Sequence, residues 1–263
     1  MWPFGKKTKK TALVLSGGSA RGLAHLGAIE VLIREDIKFD LVVGTSIGAL
    51  IGAVYCLQRP VDEVKQMALK TTVADILDVA ISRMGLSAGN RLENVIRKTV
   101  DNKTFNDLKI PLAVTAVDVE TGQEAYFTSG DLIKVIKASC SLPGIYRPVE
   151  LDSRLLIDGG VRHHFPIDIA KKLGAEFIVG VDVGFCVKKG RITSMLGVIM
   201  QSVQIMGEEI SLYQSGKADI LIRPELGCDI DQLAFNKAAF IIQKGKEAAE
   251  EALPLLKKHF GGK

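Results

Sequence analysis

Short runs of β-branched and aliphatic residues, nearly unbroken by polar ones, constrain this chain most. They lie at residues 12–15, 41–43, 112–117, 155–157, 177–183 and 219–222. A strand with one wet face alternates apolar and polar residues, whereas an unbroken apolar run suits a strand covered on both faces. Helical segments fall between the runs, at residues 22–34, 46–57, 131–139 and 165–172. Strands alternating with helices imply crossover connections. The expected fold is therefore α/β, a three-layer α/β/α sandwich about a mainly parallel central sheet.

Residues 60–100 hold no convincing strand and read as two or three helices, broken near Gly85 and Gly89 and restarting at Asn90-Arg91-Leu92-Glu93. They are expected to form a helical insertion within one domain spanning residues 11–263. The amphipathic stretch 232–258 is expected to pack as an outer helix. Residues 1–10 form a basic tail in which Lys6, Lys7, Lys9 and Lys10 follow Trp2 and Phe4, a pattern suited either to a solvated terminus or to transient contact with an anionic membrane surface.

Composition narrows the functions. With 47% apolar and 24% charged residues the chain has the balance of a globular enzyme, and a net charge of +4 without basic runs interleaved with aromatics argues against nucleic acid as partner. Cys56, Cys140, Cys186 and Cys228 show no C-x-x-C pairing, so neither zinc nor a disulfide framework is expected, and a reducing cytoplasm fits. The uncharged stretch 41–57 reaches the lower length limit of a membrane span, about 17 residues. Gly44, Gly48 and Gly52 divide it instead into strand, tight turn and helix.

Three motifs follow predicted strands. In Gly44-Thr45-Ser46-Ile47-Gly48 the order G-x-S-x-G between strand and helix is that of a nucleophile elbow, where flanking glycines relieve a turn sharp enough to expose the serine hydroxyl at a helix N-terminus. In Gly17-Gly18-Ser19-Ala20-Arg21-Gly22 a glycine-rich loop opens a helix. A Walker loop would need Lys-Ser or Lys-Thr where Leu23-Ala24 stand, and a dinucleotide fingerprint would need glycine at Ser19 and an acid near Val43. The remaining use is an oxyanion hole built from the N–H groups of Gly17, Gly18 and Ser19. Arg21 is suited to steadying that loop, to neutralising an anionic head group, or to a surface position on the first helical turn. His25 reads as structural. The third motif, Asp158-Gly159-Gly160, is a turn by composition, but ligands of open α/β sheets bind beyond the carboxyl ends of strands, where three such loops can converge.

Taken in order, Gly-Gly-x-x-Arg-Gly, Gly-Thr-Ser-Ile-Gly and Asp-Gly-Gly resemble the patatin-like phospholipase family. Ile110-Pro111-Leu112, the run from Ala138 to Pro143 leading to Pro148-Val149, and the run from Ala218 to Pro224 extend the resemblance over most of the chain. It implies a Ser–Asp dyad with Ser46 as nucleophile and Asp158 as base, an oxyanion hole from the loop of Gly17, Gly18, Ser19, Arg21 and Gly22, lipid acyl esters as substrates, and no metal or cofactor. Two features depart from the family pattern: Ser19 replaces a glycine, and His163-His164 stand where asparagines are common. Those histidines raise an alternative, a triad with His163 or His164 as base. Two other readings compete with lipid hydrolysis: a catalytically silent acyl-lipid-binding or regulatory protein, and a soluble small-ester esterase.

Overall fold

The computed structural model describes residues 9–78, 84–184, 186–187, 191–230 and 232–261. The chain runs β1 (Thr11–Leu15), α1 (Ala24–Arg34), β2 (Leu41–Thr45), α2 (Ile47–Cys56), α3 (Val61–Lys70), α4 (Val73–Ile76) and α5 (Asn90–Thr99). It continues through β3 (Leu112–Asp118), β4 (Glu124–Phe127), α6 (Leu132–Ser139), β5 (Val149–Leu151), β6 (Arg154–Asp158), α7 (Gly160–His163) and α8 (Ile167–Lys172). The last elements are β7 (Phe177–Val181), α9 (Met195–Ser215), β8 (Ile220–Ile222) and α10 (Ala238–Phe260).

The strand residues are sorted by the period of two. Leu13, Leu15, Val42, Val114 and Val179 point into one core with α1, α2, α6 and α10. Ala12, Val14, Val43, Ala113 and Ile178 point into a second core with Phe165 and with Ile167 and Ile169 of α8. Both sheet faces are therefore covered, which is why the strands read as unbroken apolar runs. Within the sheet β3, β2, β1, β7 and β8 are parallel neighbours, and β4, β5 and β6 add antiparallel pairs.

Register decides how the site is built. Thr45 of β2 lies opposite Thr115 of β3, and Asp158 of β6 lies opposite Ala116, the next residue along. The far edge of β3 is taken by β4, which pairs with Val114 through Val117. A strand residue has only two pairing edges, so β2 and β6 share one edge of β3 and abut with their carboxyl ends facing.

All six expected runs form strands, and the uncharged stretch 41–57 resolves into β2 and α2. Residues 60–100 give α3, α4 and α5, with residues 79–83 outside the described part. The basic tail falls outside it too, except Lys9 and Lys10. One expectation is corrected: Cys186 and Cys228 are joined by a disulfide, their Cα atoms 5.0 Å apart. Spacing of 42 residues hides the pair, which forms because parallel pairing of β7 with β8 brings the loops after them together. The reducing-compartment reading thereby loses a support, since such bonds are rare in a reducing cytosol.

Candidate active site

Ser46 joins β2 to α2 with φ 55° and ψ −125°, a backbone region that costs a non-glycine residue about 1–3 kcal/mol. Neighbours hold it there. The Ser46 N–H donates to Ser139 Oγ at 2.8 Å, while Thr45 Oγ1 donates to the His163 carbonyl at 2.7 Å and shares a 2.7 Å contact with Thr115 Oγ1. The flanking glycines admit close backbone crossings: a Cβ on Gly44 would lie 2.6 Å from the Ala49 N, and one on Gly48 would lie 2.4 Å from the Ser16 carbonyl oxygen. Because backbone yields little, Gly48→Ala should destabilise the protein by about 1–3 kcal/mol, read as a lowered midpoint in thermal melting. An unchanged midpoint would mean the elbow relaxes freely.

Asp158 ends β6 and is buried, its N–H donating to the Ser141 carbonyl at 3.0 Å. One carboxylate oxygen accepts the Gly160 N–H at 2.7 Å. Burial pushes its pKa up to about 6, against the hydrogen bonds from Gly160 and from the Ser46 side chain. The end of α6 and the turn after it thus clamp both members of the pair, Ser139 on Ser46 and Ser141 on Asp158. Neither serine stands out from sequence as a positioning residue, although both lie in the run from Ala138 to Pro143. Cys140 between them stays a neutral thiol, because burial raises its pKa despite its contact with Ser46.

The glycine-rich loop needs two corrections. The Gly17 N–H is spent on the His164 carbonyl, at 2.9 Å, so it is no oxyanion donor. Arg21 is buried and turned away from Ser46: its Nε donates to the carbonyls of Val183 and Gly184 at 3.1 and 3.0 Å, and its Nη1 to those of Gly227 and Ile230 at 2.8 and 2.9 Å. Of its expected uses, steadying the loop is the one the geometry fits. Gly18, at φ 140°, and Ser19, at φ 49°, remain beside Ser46 in the cavity wall, and a Cβ on Gly22 would strike the Ile47 side chain at 2.0 Å. A Cβ on Gly159 would lie 2.5 Å from Thr115 Oγ1 and one on Gly160 3.0 Å from Asp158 Oδ1, so the paired glycines let the chain leave β6 tightly.

His163 faces Glu124, with Nε2 2.5 Å from Oε2, and Lys172 bonds the other carboxylate oxygen. His164 is buried at the cavity edge, and burial lowers its pKa to about 4, keeping the ring neutral at pH 7. His163 is thus engaged by Glu124, whereas Ser46 and Asp158 both face the cavity. His25 lies behind the loop, its Nε2 2.9 Å from the Ser16 carbonyl oxygen.

Ser46 and Asp158 open onto a cavity of about 500 Å³. Its wall is predominantly apolar, with Leu50, Met67, Leu92, Tyr146, Met200 and Leu233 among the lining side chains. That volume is typical of small-molecule sites. Much of the wall comes from α3 to α5, so the helical region of residues 60–100 encloses the space in front of the serine.

Comparison with known proteins bears on this arrangement. A family model described as patatin-like phospholipase matches residues 13–171. Patatin-like phospholipase domain-containing protein 6 of Mus musculus is 33% identical over 181 residues, covering 66% of this chain and 13% of its own length. An NTE family protein of Mycobacterium bovis is 31% identical over 182 residues, covering 68% of this chain and 50% of its own length. The chain thus spans half or less of these relatives. Among solved structures, VipD from Legionella pneumophila superposes with a TM-score of 0.56 at 13% identity, over 95% of this chain and 67% of that one. The type III effector ExoU gives 0.53 at 14% identity, over 95% and 53%. At such identities the likeness is one of fold.

Proposed function

Because the chain belongs to the patatin-like phospholipase family, we propose that it hydrolyses lipid carboxylic esters, phospholipids or lysophospholipids, with Ser46 as nucleophile and Asp158 as base. One observation carries the reading: a serine held at positive φ and a buried carboxylate, set beside each other by strands that abut on one edge of β3, open together onto an apolar cavity. The cavity suits an acyl chain, and α2 directs its positive end at the oxygen that attacks. Asp158 takes the Ser46 proton as Oγ bonds to the acyl carbon. Negative charge moves to the carbonyl oxygen, met by the N–H groups of Gly18 and Ser19. Collapse breaks the bond to the alcohol, which leaves with the proton from Asp158. Water, losing a proton to the same carboxylate, then attacks the acyl-serine, releasing fatty acid and restoring Ser46. Every step uses the chain's own groups, and none calls for a metal or cofactor.

The experiment is labelling with a fluorophosphonate followed by intact-mass detection, with fatty-acid release from mixed phospholipid vesicles alongside. Wild type should gain one adduct and Ser46→Ala none. A folded wild type that takes no adduct and releases no fatty acid would replace this reading with that of an acyl-lipid-binding protein. Turnover confined to short soluble esters, indifferent to vesicles, would make it a small-ester esterase.

A further inference from the structure

Helix α9 carries an apolar face that is turned to water. Met195, Val198, Ile205, Met206, Leu212 and Tyr213 are between 49% and 81% exposed, and they recur at the spacing that keeps one side of a helix together. Residues 195–207 contain no charged side chain. An ordinary surface helix has the opposite polarity, apolar inward and charged outward. The inner side of α9 is also occupied: Met200 and Val203 line the cavity, and the C-terminal half is pinned by Ser211 Oγ donating to Asp182 at 2.9 Å and by Gln214 Oε1 accepting the Phe165 N–H at 2.9 Å.

We propose that this outward face is the surface by which the protein settles on an anionic lipid bilayer, placing the cavity against its source of substrate. The choice of lipid rests on the hydrolase reading; the exposed face does not. Charge fits the occupant. In sequence, Lys188, Lys189 and Arg191 precede the uncharged stretch 195–207, a cationic run followed by an apolar helical segment, the pairing that holds interfacial helices on anionic lipid. Leu233, half exposed, continues apolar surface from the cavity wall outward. Among the described residues no helix is long and apolar enough to cross a membrane, so the contact is interfacial. A second copy of the chain is the weaker occupant, because Ser202 falls within the stripe where a helix–helix seam requires apolar side chains, and Glu209 bounds the uncharged part of the face.

The test uses the full chain, phosphatidylcholine vesicles with and without phosphatidylglycerol, and the variants Val198→Asp/Ile205→Asp and, separately, Met206→Glu. Wild type should co-sediment more strongly with the anionic vesicles, and each variant should lose about tenfold or more of that partitioning. Turnover of a water-soluble p-nitrophenyl ester, which needs no surface, should stay at the wild-type level and report that the variants are folded. Were wild type to hydrolyse no soluble ester, the hydrolase reading would fail, while sedimentation, with thermal melting as the check on folding, would still judge the surface. Variants that sediment like wild type, a wild type that does not sediment, or a dimer that the variants split without losing vesicle binding would each overturn the proposal.

Discussion

Asp158→Asn is expected to lower kcat/KM for a lipid ester by about 10²–10⁴-fold, the usual contribution of a general base, while making the protein more stable at pH 7.5. Both effects have one cause. Burial lifts this carboxyl from 3.8 to about 6, so the folded protein holds the proton more tightly than the unfolded chain does. The stability that this group contributes is therefore complete below about pH 4 and is lost as the pH rises through 6. At pH 7.5 the difference corresponds to about 3 kcal/mol set against the fold by a buried charge. Asparagine keeps an acceptor for the Gly160 N–H and removes the charge. Thermal melting should show the variant gaining several degrees at pH 7.5 and nothing at pH 4. In wild type, kcat/KM should climb with pH and level off above about 6, since only the carboxylate can accept the Ser46 proton. A variant that is inactive yet no more stable at pH 7.5 would mean that the carboxylate is better solvated than its burial implies.

Arg21→Ala should be the most destabilising substitution near the site, by about 3–5 kcal/mol. The guanidinium caps carbonyls from the loop after β7 and from the loop after β8, the two segments that the disulfide of Cys186 and Cys228 ties together. Alanine would leave those acceptors enclosed without a donor. Burial lowers the Arg21 pKa, opposed by the nearby charges of Asp182 and Glu208, but a guanidinium remains protonated throughout the working range. Lysine should recover only part of the loss, because one ammonium cannot reproduce the planar fork that serves both loops. Urea unfolding gives the measure, and a midpoint within error of wild type would refute the role. Activity should fall with stability, because the lost guanidinium bonds are those that anchor the glycine-rich loop carrying Gly18 and Ser19 to the loops after β7 and β8.

The sheet was legible because its strands lie between two apolar layers and leave an unambiguous trace. β4 and β5 were not: Glu124–Phe127 and Val149–Leu151 are short edge pieces with mixed burial. α9 escaped for a different reason. Its apolar residues serve both the cavity and the outer face, so no single buried stripe marks it. The motifs pointed to Ser46 and Asp158, and the structure brings these two together. Donor assignments within the glycine-rich loop were beyond the sequence, because they depend on which carbonyl lies opposite each N–H. Only the fold reveals that Gly17 faces the His164 carbonyl and that Arg21 points behind the loop. The disulfide was hidden likewise, its halves being brought together by strands whose pairing no local pattern encodes.

The abutment of β2 and β6 on one edge of β3 has a consequence for how this site can vary. The spacing between the two candidate side chains is stored in main-chain pairing, with Thr45, just before Ser46, and Asp158 one rung apart on β3, and hardly in the identity of the residues around them. A substitution changes a side chain but leaves the rungs where they are. Losing one residue from β6 upstream of Asp158 would instead slide the carboxyl by a full rung, about 3.3 Å, and present it to the opposite face of the sheet. The arrangement thus tolerates drift in composition and forbids drift in length, and within these few residues an alignment gap carries more meaning than a mismatch.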